Sequence, residues 1–226
     1  MRHSKLFLFW LLLMAAANIS ARSVPTINSD KAAEASRQQV VWQGRVCTLS
    51  TLADDFLQSV YGKSRYKGLS AVQVVYGWLL RPDAWKDEAM IHVADADLRR
   101  QLNIEGEYAR FSDLFDDTLG YRLHQLGSDL PERMRQLVRE SEAAIDLDEK
   151  VGLIIMLTKG QLIQPRPENM KSLSPLQVEA EILYNQTPSW VMLLSAACLS
   201  AILIMAAIRY SNRRKHKPQP QVSLEA

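Results

Sequence analysis

The stretch WVMLLSAACLSAILIMAAI, Trp190 to Ile208, runs for 19 residues without a charge. As a helix it measures about 28 Å, close to the hydrocarbon thickness of a bilayer. Thr187-Pro188 supplies an N-cap and a proline for the first turn. Trp190 and Tyr210 bracket the run as an aromatic belt does. The reading is a transmembrane helix over 188–210.

Charge on the two sides of this helix is unequal. Arg209, Arg213, Arg214, Lys215 and Lys217 follow it, against one acid, Glu225. Residues 22–189 carry 20 Lys and Arg against 24 Asp and Glu, a net of −4. Basic flanks stay in the cytoplasm. So 211–226 is expected to be a cytoplasmic tail, and the segment ahead of the helix to be exported. The Pro218-Gln219-Pro220-Gln221 run in the tail reads as disordered.

The other end of the chain agrees with export. Arg2 and Lys5 precede a 12-residue apolar run, Leu6 to Ala17, and Ile19-Ser20-Ala21 offers a small-residue cleavage site. This is the pattern of a signal peptide over 1–21, since 12 residues are short for a span. The expected location is the inner membrane of a cell with a periplasm, single-pass. The totals hide this division: 226 residues, net charge +2, 47% apolar and 23% charged. They argue against a nucleic-acid partner, and two cysteines are too few for a disulfide scaffold or a structural zinc site. One helix cannot enclose a transport path.

The exported segment reads as mainly α with minor β. Residues 22–39 are polar without periodicity and are expected to form a flexible linker, with the exported domain over 40–187. Leu52, Ala53, Phe56, Leu57 and Val60 have helical spacing, with Ser50 or Thr51 as cap and Gly62 as stop. Ser70 to Leu80 is a second helix, stopped ahead of Pro82. Met90 to Val93 is expected as a short strand, and 97–102 and 112–118 as short helices. One longer helix is expected from Pro131 to Ile145, a helix over 148–158 despite Gly152, an extended piece over 161–165, and a helix from Pro175 to Tyr184.

Several residues suggest chemistry. Gly62-Lys63-Ser64 resembles the end of a phosphate-binding loop, but Leu57 stands where the motif needs glycine. Cys47 has no CxxC partner, so a dithiol cycle is excluded, and a small buried apolar role is the plain reading. His92 and His124 lack HExxH spacing; either suffices in principle as a haem axial ligand. The acid groups Asp54-Asp55, Asp116-Asp117 and Asp146/Asp148/Glu149 suit helix ends and solvated faces as well as acid–base work. No nucleophile, base and orienting group assemble, so the chain is not expected to be an enzyme. Trp42, Trp78, Trp85 and Met90 are expected as core or interface anchors.

The stretches Trp42-Gln43-Gly44-Arg45-Val46 and Thr48-Leu49-Ser50-Thr51-Leu52-Ala53 resemble the start of the exported domain of system II cytochrome c biogenesis proteins, the ResB/CcsB and CcsA components in the form found in Bacteroidetes. The likeness continues through Gly62-Lys63, Gly68, Gln73-Val74, Gly77-Trp78, Pro82 and Trp85. It extends through Ala109 to Leu123, Asp148 to Val151 and Glu179 to Asn185. Cys47 departs from the pattern, which often has proline there. The family's multi-span haem-handling part, with its tryptophan-rich loop and membrane histidines, has no counterpart in these residues, so no haem ligand is carried over.

The resemblance implies an accessory subunit that supports haem delivery or attachment to apocytochrome c. A CcsA-like multi-span haem lyase would be its partner, and haem would be reached only through that complex. It also singles out Trp42, Gly44, Arg45, Gly62, Gly77 and Trp78 as partner-binding residues. The fork of Arg45 suits a haem propionate or a partner carboxylate; a surface ion pair is the plainer alternative. The competing reading is a single-pass envelope scaffold or binding module in another membrane complex.

Overall fold

The computed structural model describes residues 24–215 except 117, 119, 129, 130 and 188. The segment expected as a signal peptide, Pro188 and most of the basic tail therefore lie outside the described residues. The chain divides into two units, one ending at Ile182 and one starting at Leu183. The first is mainly helical with short strands.

Its centre is a helical layer set up by local sequence. Helix α1 is Ser29–Ala35. Strands β1 (Gln39–Trp42) and β2 (Arg45–Thr48) form an antiparallel hairpin that leads directly into α2, Leu49–Tyr61. The Thr48 hydroxyl accepts from the Thr51 amide, so α2 starts ahead of the expected caps; Gly62, at φ 78°, stops it as expected. Leu52, Ala53, Phe56, Leu57 and Val60 are buried along one face.

A small hairpin of β3 (Arg65–Tyr66) and β4 (Leu69–Ser70) turns the chain into α3, Ala71–Leu80. Ser70 and Gln73 form a reciprocal capping box at its start. Helix α4, Pro82–Trp85, brings the Trp85 ring over Gly77, where an added Cβ would lie 2.2 Å from the indole. Strand β5 (Ile91–His92) pairs with β6 (Tyr108–Ala109), on either side of α5, Ala96–Leu102. Helices α6, Glu132–Arg139, and α7, Glu142–Thr158, follow, and α7 packs on α2 and α3. Strand β9, Gln164–Pro165, joins the first hairpin in the order β2-β1-β9. Helix α8 is Pro175–Gln186.

Three expectations need correction. The linker reading of 22–39 fails from Val24 onward. Asn28 caps α1 by accepting from the Lys31 amide at 2.9 Å, and Val24, Ala32 and Ala35 are buried. Trp85 Nε1 donates to the Pro25 carbonyl at 2.9 Å, and Gln73 Nε2 to the Ile27 carbonyl at 3.0 Å. These partners are far in sequence, and alanine gives little periodic signal. The helix expected over 112–118 is a single 3-10 turn, Ser112–Leu114, followed by β7 (Phe115–Asp116) paired with β8 (Gly120–Tyr121). Phe115 and Tyr121 stack at 5.1 Å, while the Asp116 carboxylate accepts from the Thr118 amide and hydroxyl in the turn. The helix expected over 131–145 is two, because Ser141 caps α7 afresh by accepting from the Ala144 amide.

Aromatic rings run through the first unit as a continuous ladder. From the middle outward, Trp85 meets Trp78 at 6.2 Å and Tyr66 at 5.9 Å. One arm passes through Tyr61 and Tyr108 to His92, and the other through Phe111, Phe115 and Tyr121 to His124.

The second unit contains helix α9, Ser189–Lys215. Its window Leu193–Tyr210 has a mean hydropathy of 1.9 and none of it is buried. Length and composition make it a candidate membrane span.

Candidate interaction site

Three of the six singled-out residues meet at the tip of the β1–β2 hairpin. A two-residue turn of this type needs φ > 0 at both positions. Gln43 and Gly44 supply it, at 49° and 76°. The turn sets Trp42 directly opposite Arg45. Gly44 is thus a conformational requirement, since a Cβ there would meet nothing within 4 Å.

Each tip side chain faces an acid, Trp42 closely and Arg45 loosely. Trp42 Nε1 donates to Asp55 on α2 at 2.9 Å. Arg45 Nη1 reaches Glu181 on α8 at 3.5 Å, with the arginine side chain 55% exposed. That pair is long and wet, so it contributes little stability. Most of the Arg45 guanidinium therefore stays available.

Glu181 does more than pair with Arg45. Its Oε2 accepts from the Thr48 amide at 2.8 Å and the Thr51 hydroxyl at 2.9 Å. The carboxylate therefore sits on the first turn of α2, where unpaired amides and the helix dipole favour negative charge. Nearby, Arg37 donates twice to Glu179, at 2.7 and 3.2 Å. The Gln39 side chain pairs with both the amide and the carbonyl of Leu173. These contacts fasten the segment 173–181 to the hairpin and the start of α2. Sequence reading missed this role of Glu181, whose partners lie at least 130 residues away. The available signal was its position between Val178 and Ile182, both buried.

The other three residues hold the fold. Gly62 ends α2 in the left-handed region. Gly77 lies under Trp85. Trp78 is 1% exposed and donates to the Met90 sulfur at 3.0 Å. Gly77 and Trp78, expected among the partner-binding residues, are both buried within the unit.

Several of the other chemical suggestions, at Cys47, Lys63, Asp54 and Asp146, resolve into structure. Cys47 is fully buried, and burial pushes its thiol up to about 11 despite the opposing charge of Arg45. A protonated, shielded thiol is a poor nucleophile. Lys63 lies over the Tyr61 and Tyr108 rings at 5.4 and 5.5 Å, after a helix rather than before one, so it cradles no phosphate. Asp54 is raised by burial first and by Asp55 second. Asp146 accepts from the buried Lys150 at 2.6 Å, and the same ammonium donates to the His92 carbonyl at 2.7 Å. No group of three or more His, Cys, Asp or Glu suited to a metal occurs among the described residues.

No family model matches the chain. Protein NrfI of Wolinella succinogenes is 33% identical over 128 residues, which cover 55% of this chain. The chain spans 14% of the length of that protein.

Proposed function

We propose that the chain is an accessory membrane subunit of system II cytochrome c maturation. It supports haem delivery and attachment to apocytochrome c by a CcsA-like multi-span partner. The observation that carries this is the similarity to NrfI, which supports a role in cytochrome c maturation. The ordered resemblance from Trp42 to Asn185 points the same way.

In this reading α9 is a single span, the unit ahead of it faces the periplasm, and the basic residues after it stay in the cytoplasm. Passage of haem needs a helical bundle, which the partner supplies; the exported unit docks. The hairpin tip suits docking. Arg45 is largely exposed, and its guanidinium offers a charge-assisted fork to a carboxylate of the partner or of haem. Trp42 beside it is fixed by Asp55, so the pair is pre-organised.

The test is affinity purification of the chain from detergent-solubilised membranes, with a pyridine haemochrome spectrum and identification of the bound proteins. A multi-span partner arriving with haem is expected. A colourless chain with unrelated envelope proteins would favour the scaffold reading. At residue level, Arg45→Ala lowers the yield of c-type cytochromes without lowering the amount of this chain. Unchanged yield removes Arg45 from the docking site.

A further inference from the structure

Helix α8 is apolar on two opposite sides, and only one side is used. Val178 and Ile182 are buried, 8% and 7% exposed. The acids between and beside them are tied back, Glu181 to the hairpin and Glu179 to Arg37. Leu176, Ala180, Leu183 and Tyr184 follow the spacing i, i+4, i+7, i+8 and fall on the other side. All of them are exposed, Leu176 by 80%, Leu183 by 68% and Tyr184 by 63%. An outer face turned to water would be polar.

Chain continuity says what covers that face. Helix α8 ends at Gln186 and α9 starts at Ser189, so the connection can stretch no more than about 11 Å. Whatever its direction, the end of α8 is therefore tethered close to the entry of the candidate span. The polar layer of a bilayer adds several ångströms on each side of the hydrocarbon. A helix there buries its apolar side about 5–10 Å into the headgroup boundary, and a tyrosine is at home in that layer. With both acids of α8 engaged by cations and amides of this chain, little negative charge opposes an anionic lipid surface.

We infer that α8 is a two-sided foot: Val178 and Ile182 hold the exported unit, while Leu176, Ala180, Leu183 and Tyr184 rest in the lipid headgroup layer. The inference rests on the reading that α9 crosses a bilayer.

The experiment uses the full chain in nanodiscs of phosphatidylcholine and phosphatidylglycerol. Cysteines introduced by Leu176→Cys, Leu183→Cys, Leu199→Cys and Lys159→Cys, each in a Cys198→Ala background, carry an environment-sensitive fluorophore. Spin-labelled lipids act as quenchers. The positions at 176 and 183 are expected to emit to the blue of 159. They are also expected to be quenched at least about twofold more by a headgroup label than by a deep acyl label, as an interfacial depth requires. Water-like emission at 176 and 183 with deep quenching at 199 overturns the foot and leaves the span. Water-like emission at 199 as well removes the span and the foot together. Blue-shifted emission at 176 and 183 that no lipid label quenches means that a protein, such as a second copy, covers the face, and also overturns the foot.

Discussion

Helix α3 and the window Leu193–Tyr210 of α9 are both almost free of charge, and their surroundings are opposite. Helix α3 has 10 residues, about 15 Å, too short to cross a bilayer. Its Val72, Val74, Val75 and Trp78 are buried by α2, α7 and the Trp85 ring. The window of α9 has 18 residues and no burial at all. Apolar content alone does not separate the two. What does is the neighbourhood: α3 is flanked by a capping box and a proline, and by amphipathic partners able to cover it, while α9 is flanked by an aromatic residue and a basic cluster. One helix is stabilised by close packing, while the other has the length and composition of a candidate membrane span.

That contrast can be broken most sharply at Gly77. Gly77→Val places a Cβ inside the Trp85 indole, so the first unit should lose more than about 4 kcal/mol or fail to fold. Ala206→Val, on α9, should leave its melting unchanged. Thermal denaturation in detergent reads both, and an unaltered midpoint for Gly77→Val would mean that α3 is not packed as described.

The latch comes next. Glu181→Ala leaves the Thr48 amide and the Thr51 hydroxyl without their carboxylate, at a cost of about 1–3 kcal/mol. Arg45→Ala removes only a long, exposed pair and should cost under about 1 kcal/mol. Equal losses in the two variants would contradict the division of roles at the hairpin.

The two cysteines sharpen the comparison, because one lies in each region. Cys47 is buried by protein, and Cys198 lies on the exposed face of α9. Under urea in detergent, a water-soluble maleimide should reach Cys47 as the first unit unfolds and leave Cys198 shielded by the micelle. The pH dependence follows from the same burial. The unfolded thiol releases its proton near 9.0 and the folded one near about 11. The contribution of Cys47 to stability is thus complete below about pH 9 and is lost as the pH rises toward 11. Cys47→Ala should flatten that decline in urea titrations at alkaline pH.

The smallest effect is expected at Asp54. Burial, and then the neighbouring Asp55, raise its pKa, so folding favours the neutral acid. The loss sets in as the pH rises through the raised value, so Asp54→Asn should melt slightly higher at neutral pH. The gain should vanish at about pH 3, where both forms are neutral. A gain that persisted in acid would point to packing rather than charge.

Much of the helical framework was legible because local signals agreed. In α2 and α3 the apolar spacing and a stop coincide, and for α3 the cap does too, so the expected and observed bounds differ by at most three residues. The strand at 91–92 and the extended piece at 164–165 were also visible. Failures came where a distant partner decides. The stretch 24–36 is ordered by Gln73 and Trp85, and Phe115 pairs with Tyr121 instead of continuing a turn of helix. Of the candidate site, Trp42, Gly44 and Arg45 were legible through the family resemblance, though not the hairpin that brings them together. Glu181 was not, since a carboxylate gives no sign in sequence of the amide it will reach. Gly77 and Trp78 stood out by the resemblance, and their burial against Trp85 and Met90 was not legible in the sequence.

A strain lacking this chain tests the proposed role in cytochrome c maturation most directly. Haem-stained gels and reduced spectra of its membranes should show covalent c-type cytochromes lost and b-type haem intact. A normal set of haem-stained c-type bands would contradict the account.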